Sequence, residues 1–553
     1  MWRPRLLPFL LLLVFGLLVR RSSFDNSVTV DEAAHLPLGL AFLRTGNPGY
    51  ALMHGPLPQL LAAWPLRSDA EVRCELPLPQ ADTDFWVAAK TFQEQNPSRY
   101  LDLFRRARVP NLVLALLLGL FVYRHARRRS DRLTASLALF LFALCPNLIA
   151  HAGLATTDLA VTAFTFASVA ALWSYLKKPS GLRLAWAGAA LGGAILSKYT
   201  AGLLVFLVPL LLYFGQRPGA PHRLRRTITA FLGLGLVAWL VVLLGYHFDH
   251  PFQPLSAFTF KSAFWQSLQA GLPGWLPVPF PRQLIAGLDL QSFDVARPWP
   301  LYLFGQFSTT GWHYHQLVEL LYKLPLPLVI ALALGILKGA LTFLSANRKN
   351  LLWTLFPALA WIAALSFIGS SQFGVRLLLP ALPFLQVFAG ETLARLLRRS
   401  CLSRLLALAL LVWYAAGAWQ AYPHYLSYFN ELAGGPRNPN RGQEILLDSN
   451  LDWDQDWLRL ERWQEKHHAP LIHYAQFGVI SPEVYGVQGK PLGCEPVQGY
   501  VAVSVNLVYG LDPVHLQGLC YTWLRYREPM DKIGSAIWIY HFGPAGPAAL
   551  GGP

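Results

Sequence analysis

Apolar residues in this chain gather in long, nearly unbroken runs, without the repeating polar face that a soluble amphipathic helix or a half-buried strand would show. The runs cover residues 6–19, 109–123, 133–149, 159–176, 182–196, 201–214, 227–246, 324–343, 351–368, 377–397 and 402–419. Runs of this length predict about eleven transmembrane helices. The run behind Arg3 and Arg5 has the length of a signal-peptide core as well. It reads as a helix, because Arg20-Arg21-Ser22-Ser23 follows it and no small-residue cleavage site does.

Polar segments between the runs divide into two kinds. Short connections at 124–132, 177–183, 217–226, 348–349 and 398–404 carry most of the lysine and arginine, as cytoplasmic loops do. Three long segments, 20–108, 247–323 and the tail after 419, then fall on the opposite face. Arg105, Arg106 and Arg108 run against this trend and are expected on an amphipathic helix at the outer interface. Pro-interrupted stretches in the first segment are expected to lie on the membrane, and Pro, Trp and Phe around 273–281 suit an interfacial loop. In the tail, 453–465 reads as an amphipathic helix, and 471–477, 500–506 and 536–542 read as strands.

The fold class is therefore a polytopic α-helical membrane protein, residues 1–419, with a small extracytoplasmic α/β domain over 420–553. Composition agrees, with 54% hydrophobic and 14% charged residues in 553. A net charge of +16 belongs to the loop clusters, so no nucleic-acid partner is expected. Five cysteines make no disulfide framework, but Cys494 and Cys520 share the tail, where a bond between them is expected, leaving Cys74 free. No metal-ligand pattern is indicated, and a divalent metal is left open.

Candidate chemistry concentrates on the outer face. Val28-Thr29-Val30-Asp31-Glu32-Ala33-Ala34-His35 places two carboxylates just past the first run, and Met53-His54-Gly55-Pro56-Leu57 follows in the same segment. His151-Ala152-Gly153-Leu154-Ala155-Thr156-Thr157-Asp158 precedes the fourth run. Ser197-Lys198-Tyr199-Thr200 breaks two runs on the same side, and Phe373-Gly374-Val375-Arg376 opens the tenth with an arginine where the charge rule would not put one. Each acid has a simpler role available, as a helix cap, and Lys198 has one as a snorkelling side chain. Asp452, Asp454 and Asp456 alternate like a calcium loop, but Trp457 stands where that loop needs glycine and Trp463 where it needs the closing acid. Capping by Asp452, with the other acids on a solvated face, is the expectation. No P-loop or dinucleotide fingerprint is present in a suitable context.

Taken together, D-E, H-G-P-L, H-A-G-L-A-T-T-D and F-G-V-R-L-L-L-P, with the tail segments 428–436 and 447–453, resemble the bacterial lipid-carrier-dependent glycosyltransferases of the GT-C fold. That superfamily holds the protein O-mannosyltransferases and the aminoarabinose transferase of lipid A. The family loop often reads H-P-P-L, and glycine usually stands where this chain has Asp454. The resemblance implies an inverting, mannosyltransferase-like enzyme of the bacterial inner membrane and cell envelope, with a cytoplasmic N-terminus and an outer tail. It would move a sugar from a polyprenyl-phosphate donor, embedded in membrane lipid, to a hydroxyl on a protein, lipid or glycan. Asp31 is then the general base, Glu32 a supporting residue and Asp158 an orienting or second acid, while Arg376, Lys198 and His54 stabilise the donor phosphate. A transporter or flippase of a lipid-linked sugar is the alternative. It calls for charges at mid-membrane and related chain halves, and the sequence offers neither.

Overall fold

The computed structural model describes residues 6–77, 84–219, 221–341, 348–367, 372–436, 441–495, 497–512 and 520–543. All eleven apolar runs are helical within them, although the expected ends at Phe343 and Ile368 lie outside the described residues. Among the described residues six helices are long and apolar enough to cross a membrane: Leu6–Asp25, Pro97–Arg129, Thr157–Lys177, Arg223–Gly245, Val375–Leu397 and Cys401–Gln420. Two further runs are bent pairs, Arg132–Ala143 with Pro146–Ala152 at 63° and His315–Lys323 with Leu326–Lys338 at 118°. Three more are shorter apolar helices, Gly181–Ser197, Tyr199–Gly215 and Leu351–Phe367. The eleven expected spans thus correspond to six full-length helices, two bent pairs and three shorter apolar helices among the described residues. Proline is the cause of both bends, since Pro146 and Pro325 lack the N–H that would continue the helix and crowd the turn before them.

Local signals set the other boundaries. Asp131 accepts a hydrogen bond from Thr134 N at 3.0 Å and opens its helix, and Ser400 and Ser403 form a reciprocal cap before Cys401–Gln420. Gly188 and Gly192, one turn apart, face the Arg223–Gly245 helix, where a Cβ would stand 2.5 Å from Leu234 O and 2.8 Å from Ala238 O. The two backbones approach closely only because both positions are small.

The extramembrane segments fold onto one another. Helices Glu32–Thr45, Pro56–Ala63, Asp84–Gln95 and Tyr100–Ala107 come from the first outer segment. Short antiparallel pairs β1 (Gln253–Pro254) with β2 (Pro277–Val278) and β3 (Leu301–Leu303) with β4 (Gln306–Ser308) come from the second. The tail builds a five-stranded sheet from β5 (Ile472–Ala475), β6 (Gly489–Pro491), β7 (Gly499–Ser504), β8 (Asp531–Ile533) and β9 (Ile537–Phe542). Its order is β6-β5-β7-β9-β8, with the first three strands parallel and β9 antiparallel to both neighbours. Cys494 and Cys520 are bonded, while Cys74, Cys145 and Cys401 are free.

One hydrophobic core joins the membrane helices to part of the tail. A second joins the first outer segment to the tail, with Phe42, Phe92 and Phe104 packed in the same cluster as Trp457, Ile472 and Ile537. The helices of the first segment cover part of their apolar surface with tail residues in this second core.

Candidate active site

Segment 27–30 is held from the tail. Ser27 N donates to Gln455 O at 3.0 Å, Val30 N donates to Trp453 O at 3.2 Å and Val28 N donates to the Tyr485 hydroxyl at 3.0 Å. Asp31 follows as the residue before the Glu32–Thr45 helix, and its side chain makes no cap hydrogen bond. It receives Arg376 Nη1 at 2.5 Å instead. Burial pushes the Asp31 carboxyl up, but the charge of Arg376 more than offsets this and holds it below its ordinary value, so it is ionised at neutral pH.

Glu32 faces the other way and is fully buried. Its oxygens accept from Thr29 N at 3.1 Å, Thr29 Oγ1 at 3.0 Å, Ala155 N at 2.7 Å, Arg108 Nε at 2.8 Å and Arg108 Nη2 at 2.7 Å. Arg108 in turn donates to the carbonyls of Ser23, Asn26 and Ser27. Every lone pair of Glu32 is engaged, which makes it a junction between the first outer segment and the Ala155 turn. Arg108, expected on an amphipathic interface, is buried at the centre of that junction. Its companions are half-buried, Arg106 against Asp69 and Arg105 over the Phe24 ring.

The two expected cations come from different helices, and only Arg376 pairs with Asp31. Lys198, past the end of Gly181–Ser197, donates to Asp158 Oδ1 at 2.7 Å, and Thr156 Oγ1 lies 3.3 Å from the second oxygen of Asp158. Arg376 opens Val375–Leu397, with its guanidinium 4.4 Å from the centre of the Trp453 ring and its Nε on Phe373 O at 2.9 Å. His54 packs edge-on against His35, ring centres 5.1 Å apart, and against Phe85. Burial lowers His35 to about 4 and His54 to about 3, so both imidazoles are neutral. At neutral pH His54 therefore acts as a hydrogen-bonding group and carries no positive charge. Gly55 replaces the proline of the family pattern at a point where a Cβ would stand 2.1 Å from Leu196 O, so the loop packs directly on the turn that carries Lys198.

Asp31, His54, Lys198 and Arg376 line one cavity of about 560 Å³, within the usual range for a small-molecule site. Glu32 and Asp158 do not line it. Asp158 contacts Lys198, and Glu32 contacts Arg108 and the backbone of Thr29 and Ala155. The far wall, from Leu288 to Trp299, comes from the second outer segment, and Phe85 and Trp86 close another side. No motif in the sequence pointed to this wall. Arg108 had a signal, its conflict with the charge trend. Among the described residues no group of three or more His, Cys, Asp or Glu is placed to hold a metal ion.

Residues 102–246 match the family model described as dolichyl-phosphate-mannose-protein mannosyltransferase. This stretch contains Arg108, Asp158 and Lys198, and the match supports glycosyl transfer as the chemistry of this membrane protein. No curated protein matches the chain. Among solved structures, ArnT from Cupriavidus metallidurans bound to undecaprenyl phosphate is similar over 99% of this chain and 99% of its own, at 12% identity and a TM-score of 0.48. The oligosaccharyltransferase AglB from Archaeoglobus fulgidus, in complex with an inhibitory peptide and a dolichol-phosphate, is similar over 97% of this chain and 74% of its own, at 12% identity and a TM-score of 0.48.

The tail acids depart from expectation. Asp452, Asp454 and Asp456 are all buried, none on a solvated face. Asp452 accepts from Ser504 Oγ at 2.5 Å and from Asp454 N at 2.9 Å, and it caps no helix. The helix begins at Trp457, with Asp456 before it and Arg459 on the Asp456 carboxylate. The turn that carries these acids is buried because the carbonyls of Trp453, Asp454 and Gln455 pair with segment 27–30.

Proposed function

We propose that the chain is an inverting glycosyltransferase that moves a sugar from a polyprenyl-phosphate donor to a hydroxyl acceptor on the outer face of the membrane. One observation carries this reading: an ionised carboxylate, two cations and a neutral imidazole from four separate elements converge on a single cavity. The donor phosphate takes Arg376 and Lys198, with His54 as a further hydrogen-bonding partner. The lipid chain would leave past Leu365 and Leu377, apolar residues of the cavity wall at helix ends.

The reaction is a direct displacement. The acceptor oxygen forms a bond to the anomeric carbon as the bond from that carbon to the phosphate oxygen breaks, and the electron pair leaves with the phosphate. Asp31 takes the acceptor proton. In the resting site Arg376 lowers the basicity of Asp31 by pairing with it. When the donor phosphate draws Arg376 away, that pairing weakens and Asp31 becomes a stronger base as the phosphate arrives. Charge growing on the leaving phosphate is met by cations already in place, held by Asp158 and by the Trp453 ring. A mannosyl donor is the choice closest to the matched family description, and a bacterial inner membrane with a cytoplasmic N-terminus is the setting we assign.

The test is transfer from a purified polyprenyl-phosphate sugar, with donor binding measured separately in nanodiscs. Asp31→Asn is expected to lower turnover by roughly 10²-fold to 10⁴-fold while keeping donor binding. Arg376→Ala is expected to weaken both, because the phosphate contact acts in the bound donor and again in the transition state. Near-normal turnover in Asp31→Asn would remove Asp31 as the base.

A further inference from the structure

A second cavity, of about 320 Å³, lies in the tail, away from the residues of the candidate active site. It opens beyond the carboxyl ends of the parallel strands β5 and β6 and against Leu507, just past the end of β7. Open α/β sheets hold ligands at this edge, because strand ends and the loops after them leave a crevice there.

Its lining is that of a pocket for a neutral, hydroxyl-rich ligand. Tyr474, Gln476, Ser481, Asp512 and Tyr521 supply the polar groups, with Leu492 among the apolar ones. The Gln476 amide donates through Nε2 to Gly478 O at 3.1 Å, and its buried Oε1 has no hydrogen-bond partner among the described residues. The Tyr474 hydroxyl donates to Glu483 Oε1 at 2.7 Å and the Tyr521 hydroxyl to Leu492 O at 2.7 Å, which leaves both phenol oxygens able to accept. Among the described residues that line the cavity there is no lysine, arginine or histidine. A sugar ring matches this set: its hydroxyls donate to the carboxylate and amide oxygens, and its C–H faces pack on tyrosine rings and leucines.

We propose that this cavity is a carbohydrate-binding site that holds a sugar unit of a glycan-bearing acceptor. The assignment of that unit to an acceptor rests on the glycosyl-transfer reading. A path of hydrogen bonds leads from the cavity toward the catalytic carboxylate. Gln476 bonds Gly478 O, Gly478 N donates to Asp454 Oδ1 at 3.2 Å, and Asp454 O accepts from Ser27 Oγ at 2.5 Å. Trp453, beside Asp454, holds Val30, beside Asp31.

Saturation-transfer NMR on the full chain tests this, in a detergent without a sugar headgroup and with glucose, galactose, mannose and N-acetylglucosamine as probes. At least one probe is expected to receive saturation. Gln476→Ala should weaken its binding by roughly 2-fold to 10-fold, the worth of a hydrogen bond, and Val479→Trp should abolish it by filling the space. Asp31→Asn should leave it unchanged, and matched melting temperatures would show that the variants fold. Absence of saturation from all four probes would overturn the site, and so would a signal that survives both tail variants. Because binding is read without donor, a protein that binds sugar and transfers none would keep this site and lose the proposed function. One that transfers but fails to bind would do the reverse.

Discussion

Asp31 and Glu32 are neighbours in sequence with opposite surroundings. The side chain of Asp31 keeps 19% of its surface open at the cavity, whereas Glu32 has none and is locked to Arg108. Removing one partner of a buried ion pair strands the other charge, so Glu32→Gln and Arg108→Met should each cost roughly 3–5 kcal/mol of stability. Asp31→Asn should melt near the parent. Thermal unfolding of the three purified variants checks this, and a Glu32→Gln protein that melts normally but does not turn over would move Glu32 into the chemistry. The acidic pair, His54, Lys198 and Arg376 were all legible as polar residues stranded next to apolar runs. The resemblance selects Asp31 over Glu32, but the physical cause was not legible, because Glu32 is turned away by an arginine 76 positions further along the sequence. The neutral state of His54 was hidden for a similar reason, since it follows from burial against His35 and Phe85.

Helices and strands were more readable than contacts, because membrane helices announce themselves in composition alone. Every apolar run is helical over its described residues, and the three expected tail strands overlap β5, β7 and β9, with 505–506 helical instead. The bends at Pro146 and Pro325 and the short edge strands β6 and β8 escaped notice, as each depends on a few residues set by packing. The acid-rich turn before Trp457 was misjudged most, since alternating aspartates look solvated unless their backbone partners are known. Its burial has a pH signature. Desolvation raises Asp454 from 3.8 to about 6, so the folded chain keeps a proton that the unfolded chain releases between those values. Stability from this group is therefore full below 3.8 and falls as pH rises through about 6. Asp454→Asn, neutral throughout, should gain melting temperature relative to the parent as pH goes from 4 to 7, and a difference that stays flat would contradict the assignment.

For the molecule as a whole, the charge pattern of the loops is the source of the proposed orientation, with the N-terminus cytoplasmic and the tail outside. Ser180 and Lys466 are both exposed and lie on opposite sides in this scheme. In a background with Cys74 and Cys401 changed to serine, cysteine at 466 should react with an impermeant thiol reagent in intact cells and cysteine at 180 should not. The reverse labelling would invert the topology. The sequence-based boundary near 419 divides composition well, but it conceals how much the two parts share. Asn450 Oδ1 accepts from Val375 N at 3.1 Å, Ser449 Oγ donates to Phe373 O at 2.7 Å and Lys323 Nζ donates to Asn450 O at 2.7 Å, all across that boundary.

The tail turn at Trp453 also fixes an order in time. Its carbonyl receives Val30 and its ring lies against Arg376, so the two charged groups that meet in the cavity are both braced by a residue synthesised long after either. Asp31 leaves the ribosome early, and the residue that secures it comes near the end. A nascent or truncated chain can thus hold its membrane helices and still lack a formed site. A chain that ends before Trp453 has neither brace for the cavity's ion pair.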